Sequence, residues 1–234
     1  MSRDPKIVMG EPSLVYRVMK RTLDVVLAGA ALLVFASSSS VYGDAPAYPT
    51  HEDSPLAPVS PYGMTKLATE ELAAVYHRNF DVPVVGLRFF TVYGPRQRPD
   101  MAFTRFLTRA VAGESLPIYG TGRQIRDFTY VDDIVRGTIL AADRGRPGGV
   151  YNLGGGHPVE LREALDIMAD LLGRPIALDM QPSGTGEAVR TGCGGDLALA
   201  DLGFAATVAL RSGLEAQLEW VLGGITAPVA RAAA

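Results

Sequence analysis

Tyr62 and Lys66 stand four residues apart in SPYGMTK, and the serines Ser37 to Ser40 end an apolar run, LLVFA, upstream of them. On a helix, residues i and i+4 leave the same face, so this spacing sets a phenol beside an ammonium. A tyrosine hydroxyl titrates at about 10 in water and is a poor base at neutral pH. A neighbouring cation favours the phenolate, which can then take the proton of a hydroxyl whose carbon gives up a hydride. A serine at the end of an adjacent strand can share or relay that proton. Tyr-x-x-x-Lys alone arises often by chance. A helix start around it and a serine-ended strand before it make it a chemical site.

The elements that must position these groups follow from patterning. Leu32 to Ala36 is a continuous apolar run, as in a parallel strand buried on both faces. The proline-rich segment Asp44 to Pro58 reads as a surface loop. Ser60-Pro61 is an N-cap followed by proline at the first helical position. That helix continues to Phe80, with Leu67, Glu71, Leu72 and Val75 spacing a buried and a solvated side. Val82 to Leu87 is a second buried strand, and TVYGPRQRPDM after Arg88 is a loop. Helices are expected over Ala102 to Ala112, Val131 to about Ala142 and Val159 to Leu172. Two more close the chain, near Asp196 to Leu202 and Arg211 to Leu222. Short strands are expected at Leu116 to Tyr119, Asp127 to Tyr130, Val150 to Leu153 and Ile176 to Leu178. Gln181 to Gly195 is glycine-rich and irregular. Upstream, a helix is expected from Pro12 to about residue 30. Alternation of helix and strand indicates an α/β doubly wound parallel sheet.

Composition narrows the function. Of 234 residues 47% are hydrophobic, which is ample core material, and the net charge of −3 offers no footprint for nucleic acid. A single cysteine, Cys193, rules out an intrachain disulfide or a cysteine-based zinc site; no metal is expected, and a reducing, cytoplasmic setting fits. Thr22 to Ala36 contains only Asp24 as a charge but falls short of the roughly 20 residues a spanning helix needs. It therefore reads as a buried helix followed by a strand, and membrane association is not expected. MKRTLDVVLAGAALLV nevertheless resembles the membrane-entry segment of bacterial sugar-phosphate transferases, which leaves a membrane-associated N-terminus as an alternative.

Further motifs extend the first pair: FASSSSVYG (35–43), LRFFTVYGPRQRPDMAF (87–103), IYGTGRQIRDFTYVDDIV (118–135), VYNLGGG (150–156) and the closing LGF…L…GL…W (202–220). Together they resemble the NAD-dependent epimerase/dehydratase family of extended short-chain dehydrogenase/reductases, nearest to UDP-glucose and UDP-glucuronate 4-epimerases. The resemblance implies that Tyr62 is the acid/base, that Lys66 binds the nicotinamide ribose and tunes Tyr62, and that Ser38 bridges to the sugar 4-hydroxyl. Phe89 and Val92 would lie near the nicotinamide of NAD. Ser39, Ser40 and Thr91 would touch the substrate, threonine at 91 being the pattern of the UDP-glucuronate branch. Arg126 would grip the nucleotide diphosphate of a UDP-linked sugar, with Gln124, Arg96 and then Arg98 as further candidates. The 4,6-dehydratases and decarboxylases place a carboxylate after the strand-end serine. Here Ser39 and Ser40 offer only hydroxyls, which implies 4-epimerisation. Relatives commonly dimerise through the tyrosine-bearing helix and the helix before the serine strand, so a homodimer is an open expectation.

One departure stands out. Family members reach the serine strand after about a hundred residues, as the resemblance implies, whereas a βαβ unit needs about 30 or more and this chain reaches the strand at Ser38. No G-x-x-G-x-x-G or G-x-G-x-x-G fingerprint occurs; Gly154-x-Gly156 follows a strand, but position 159 is valine. Without such a loop the pyrophosphate lacks a helix N-terminus to sit on. The reading is an incomplete, N-terminally truncated Rossmann-type sheet with a smaller C-terminal α/β substrate-binding part. Its divisions are an atypical helical segment at 1–31, a residual dinucleotide-binding part at 32–115, a mainly substrate-binding part at 116–224 and a frayed tail at 225–234. Weak NAD binding, an exposed apolar edge at Leu32 to Ala36 and a tendency to associate are expected. The alternative is a non-catalytic remnant or truncated gene product that binds a nucleotide sugar or a partner subunit.

Overall fold

The computed structural model describes residues 32–182 and 188–226. The helix expected from Pro12 to residue 30 and the chain beyond 226 lie outside the described residues.

Strand β1 (Leu33–Ser38) runs into a 3-10 turn, Ser39–Val41, and the proline-rich loop then leads to helix α1 (Pro61–Phe80). Strand β2 (Val84–Phe89) returns parallel to β1, pairing Leu33 with Val84 through to Ser38 with Phe89. A short strand β3 (Thr91–Tyr93), helix α2 (Ala102–Ala112), strand β4 (Leu116–Tyr119) and strand β5 (Ile125–Tyr130) follow. Helix α3 (Val131–Arg144) then leads to β6 (Val150–Leu153), which pairs parallel with β2 on the side away from β1. Next come β7 (Pro158–Glu160), helix α4 (Leu161–Leu172), strand β8 (Leu178–Gln181), helix α5 (Asp196–Leu202) and helix α6 (Leu210–Thr226).

The described residues form three sheets, ordered β1-β2-β6, β3-β5-β7 and β4-β8. Strand alternation divides β2 between two layers. Val85 and Leu87 face α3 and join a buried cluster with Ile134, Ala141, Leu153, Leu202 and Phe204. Arg88 faces α1. A second cluster joins α2, α4 and α6 through Phe103, Leu107, Leu116, Met168 and Leu214. Because β6 at 150–153 completes the sheet of β1 and β2, that sheet draws on chain from both sides of residue 115.

Several expectations are corrected. The strand at Leu32 to Ala36 is not buried on both faces: it begins at Leu33 and runs to Ser38, Leu33 and Ala36 are exposed, and among the described residues β1 has a strand neighbour on one side only. On α1 the buried side is Gly63 and Glu70, whereas Leu72 and Val75 are exposed together with Tyr76 and Phe80. The helix turns a small and polar face to the sheet, because what it meets there is the polar end of β1 and the guanidinium of Arg88. The loop after Arg88 contains β3, whose three residues pair with Phe128 to Tyr130. The helix expected from Val159 starts instead at Leu161, because Pro158 to Glu160 pair antiparallel with Ile125 to Asp127. The strand expected at Ile176 to Leu178 lies at Leu178–Gln181, in parallel register with Leu116 to Tyr119.

Candidate active site

The site forms where β1 ends and α1 begins. Ser38 adopts an extended conformation (φ −155°, ψ 147°) and caps the 3-10 turn, its Oγ accepting from the Ser40 backbone N at 3.1 Å. The same hydroxyl donates to Ser40 Oγ, also at 3.1 Å. Ser39 and Ser40 are half-buried. Ser60 Oγ accepts from the Gly63 N–H at 3.1 Å, and Pro61, which has no N–H to leave unpaired, opens the helix. A Cβ on Gly63 would stand 2.5 Å from the Ser40 carbonyl oxygen. That clearance brings the first turn of α1 directly onto the serine turn.

Tyr62, on that first turn, is 55% exposed, so its phenol can be reached by a bound hydroxyl. Lys66 Nζ lies 5.7 Å from the Tyr62 ring centroid and donates to the Ala36 carbonyl at 2.9 Å. The strand thus fixes the ammonium beside the tyrosine, as the i, i+4 spacing required.

Other candidates are placed around this centre. Phe89, at the end of β2, and Val92, in β3, are half-buried against the cluster shared with α3. Thr91 opens β3 opposite Phe128. Arg96 is exposed and holds a left-handed backbone (φ 66°), in a loop pinned where Gln97 Nε2 donates to the Val92 carbonyl. Arg98 pairs with Asp100 on the surface. Gln124 Nε2 donates to the Tyr119 carbonyl at 3.0 Å. Arg126 Nη1 donates to the carbonyls of Ile125 and Val189 at 3.0 and 3.2 Å. Ser38, Ser40, Tyr62 and Lys66 therefore share one seam, while Gln124 and Arg126 belong to the β5 side, next to the 188–193 segment.

Residues that patterning missed surround the seam. A small pocket beside Ser39 is lined by Tyr48, Thr50, Phe90, Arg190 and Thr191. The Arg190 guanidinium lies 4.6 Å from the Tyr48 ring centroid. The available signal was that Arg190 is the sole basic residue between Arg174 and Arg211, set in a glycine-rich stretch.

Beneath the seam runs a buried polar chain. Ser37 Oγ donates to Glu70, and Arg88 forks onto Glu70 with Nη2 to Oε2 at 2.7 Å and Nε to Oε1 at 3.1 Å. Arg88 Nη1 donates to the Tyr42 hydroxyl at 2.7 Å and to the Glu52 carbonyl at 2.9 Å. Tyr42 in turn donates to Asn152 Oδ1 at 2.7 Å, and Asn152 Nδ2 donates to the Thr50 carbonyl at 3.0 Å. Burial pushes the Tyr42 phenol up to about 12 against the pull of Arg88, so it remains a donor. Burial alone would lower Arg88, but its bonds to Glu70 and Tyr42 hold it above the ordinary arginine value. Burial raises the Glu52 carboxyl, which accepts from the Asn152 N–H at 2.8 Å and covers the outer edge of β6.

Fold and site together define an α/β protein with a serine-ended strand and a Tyr-x-x-x-Lys helix. Residues 14–154 match the NAD dependent epimerase/dehydratase family, and the chain belongs to that family. It is 44% identical over 161 residues to an uncharacterized UDP-glucose epimerase, YtcB, of Bacillus subtilis, covering 68% of this chain and 50% of that protein. It is 42% identical over 151 residues to the UDP-glucuronate 4-epimerase of Thermodesulfobacterium geofontis, covering 62% of this chain and 45% of that protein. The crystal structure of UDP-glucuronic acid 4-epimerase from Bacillus cereus, in complex with UDP-glucuronic acid and NAD, superposes with a TM-score of 0.79 at 40% identity. That superposition covers 81% of this chain and 61% of the epimerase. The chain spans about half the length of these two curated relatives. Among the described residues no helix is long and apolar enough to cross a membrane.

Proposed function

We propose that this chain provides the acid/base half of a nucleotide-sugar 4-epimerase site acting on a UDP-hexuronate or UDP-hexose. The observation that carries the reading is the Tyr62–Lys66 pair anchored on β1 beside the Ser38–Ser40 hydroxyls. Tyr62 takes the proton of the sugar 4-hydroxyl and returns it. Ser38 shares that proton, and Lys66, held by Ala36, keeps positive charge next to the phenolate. Tyr62, Lys66, Phe89 and Val92 would hold the nicotinamide end of NAD, and their donor set and apolar wall fit it. When bound, NAD supplies the hydride acceptor and donor at C4. Ser39, Ser40 and Thr91 form the sugar side, and Arg126, Gln124 and Arg96 the diphosphate side. Hydroxyls rather than a carboxylate at 39 and 40 favour epimerisation over elimination of water.

The 234 residues contain no glycine-rich dinucleotide loop, so they fit the reacting end of NAD and not its pyrophosphate. We infer weak NAD affinity for this chain. The exposed stripe of α1, Leu72, Val75, Tyr76 and Phe80, is the face through which a homodimer would form.

The test is titration of the 234-residue protein with UDP-glucuronate and with NAD, followed by proton NMR of UDP-glucuronate incubated with excess NAD. The expected outcome is UDP-sugar binding, NAD binding weaker than micromolar, and slow appearance of the C4 epimer that Tyr62→Phe abolishes. A micromolar NAD complex would overturn the affinity statement. UDP-sugar binding with no turnover would leave the protein a binder rather than an enzyme.

A further inference from the structure

Tyr62, Lys66 and Glu70 follow one another at four-residue steps and form a single row along α1. Two members of that row grip consecutive residues of β1: Lys66 bonds the Ala36 carbonyl, and Glu70 accepts from Ser37 Oγ. The next residue of the strand is Ser38. We propose that the buried chain Ser37–Glu70–Arg88–Tyr42–Asn152 is a positioning device that sets the rotation and depth of α1 against the serine end of β1, with Glu70 and Arg88 as its positioning residues. The catalytic meaning of this inference rests on the 4-epimerase reading.

Burial and direction set this network apart. The side chains of Arg88 and Glu70 are only 5% and 6% exposed, so both charges have been taken out of water. Such a pair is weak evidence for stability, since well-packed apolar residues of similar volume are often as stable or more so. What an apolar pair lacks is direction. A guanidinium forked onto a carboxylate has one planar geometry, and a helix resting on it can neither turn nor slide without losing bonds inside a dry interface. Other ties to α1 lie mostly at its ends: Ser60 caps the first turn, Gly63 abuts the Ser40 carbonyl, and His77 bonds the Val82 carbonyl at 3.0 Å. The buried positions of α1, Gly63 and Glu70, are small or polar, its apolar stripe points away, and Leu67 is half-buried against the cluster that contains Val41, Tyr42 and Phe90. The chain also reaches past the helix. Through Tyr42 and Asn152 it bonds the carbonyls of Thr50 and Gly194, and Tyr42 and Thr50 line the small pocket beside Ser39. One network therefore positions both the acid/base row and part of the pocket wall.

The deciding variant is the double substitution Glu70→Leu/Arg88→Met in the full 234-residue protein, read by thermal unfolding and by hydrogen-exchange mass spectrometry. A positioning role predicts a melting temperature near or above that of the parent. It also predicts exchange faster by about tenfold or more in segments 33–42 and 60–70, with 102–112 and 161–172 unchanged. Parent-like exchange everywhere would overturn the proposal, and so would a fall in melting temperature with all segments accelerating together. Arg88→Lys keeps the charge but not the fork, and decides the matter alone if the double variant does not fold. It should speed exchange in the same two segments by a smaller factor, and silence there would overturn the proposal. None of these readouts needs turnover, so failure of the 4-epimerase reading shows separately, as an inactive parent protein. Where turnover is measured, the double variant should lower kcat with little change in KM.

Discussion

The α1 seam and the cluster joining α2, α4 and α6 hold the same molecule together by opposite means. In the cluster, Phe103, Leu107, Leu116, Ile118, Met168 and Leu214 are fully buried, and Phe103 stacks 4.5 Å from Phe128 with Tyr93 edge-on at 5.4 Å. Gln217, a buried polar side chain beside it, is satisfied by Gly94 N, Gln97 and Thr104. In the seam the interior is ionic, and the large apolar side chains of α1 other than Leu67 face outward. Non-directional burial tolerates small shifts of a helix; a forked ion pair does not. On the proposed 4-epimerase reading, the region that would aim a phenol and an ammonium is the one built on directional contacts.

The sharpest way to break this contrast is to damage both regions equally and then try to repair them. Arg88→Ala leaves the Glu70 carboxylate buried without its partner and should cost about 3–5 kcal/mol. Phe103→Ala opens a cavity and should cost about 3–5 kcal/mol. Adding Glu70→Ala to Arg88→Ala should recover much of the loss, because the stranded charge is gone. No second truncation in the cluster should rescue Phe103→Ala. Urea unfolding of these variants checks this. If the seam double variant is as unstable as Arg88→Ala, the ion pair is an ordinary stabilising contact.

Alkaline pH reaches the seam through Tyr42. The Tyr42 phenol is raised to about 12 in the folded protein by burial, above the value of about 10 it has when unfolded. Its protonated form therefore favours the folded state. That contribution is fully present below about pH 10 and is lost as pH rises toward 12. Tyr42→Phe should cost about 1–3 kcal/mol at neutral pH by removing a hydroxyl that both accepts from Arg88 and donates to Asn152. It should also flatten the difference in stability between pH 10 and 12 relative to the parent. Chemical unfolding across that range gives both numbers.

At acid pH a different clamp is the one to test. Asp133, at the start of α3, accepts from Arg136 at 2.6 Å and from the N–H groups of Thr207 and Val208 at 3.0 Å each. Burial would raise its carboxyl, but these donors together hold it below the ordinary carboxylate value. Its contribution is present above the unfolded carboxylate range and is lost as pH falls through the depressed folded value. Asp133→Ala leaves backbone donors unpaired and should cost about 2 kcal/mol at neutral pH. The penalty should fade in acid, which a pH series of thermal unfolding would reveal.

Much of this was legible in the sequence, for identifiable reasons. Ser60-Pro61 marks a helix start by local chemistry, and the helix begins at Pro61. Ala102 to Ala112 and Leu116 to Tyr119 were bounded by strong apolar periodicity and turn glycines, and both elements fall on those bounds. Tyr62 and Lys66 meet because i, i+4 geometry needs no tertiary information. What was not legible depended on partners distant in the chain. Glu70 reads as an ordinary solvated helix charge until Arg88 and Ser37 arrive beside it. Asn152 and Arg190 acquire roles only once the 188–194 segment folds back toward Thr50. The α1 stripe misled for the same reason: periodicity finds the apolar face of a helix, and the sheet here selects the polar one.

The smallest expected effect tests whether the seam is one device or two. The second and third turns of α1 are tied to β1 by Lys66 and Glu70, but the first turn, which bears Tyr62, depends on the Ser60 cap. Ser60→Ala removes the acceptor for the Gly63 N–H and should cost about 1 kcal/mol, lowering the melting temperature by about 2–4 °C for a chain of this size. Ser60→Asp, which can still cap, should lose little. If the buried chain governs only the later turns, exchange at 60–66 should rise in Ser60→Ala while 67–80 stays protected. If it governs the whole helix, both stretches should remain as in the parent, and the tyrosine is aimed from behind by Glu70 and Arg88 rather than from in front by its cap.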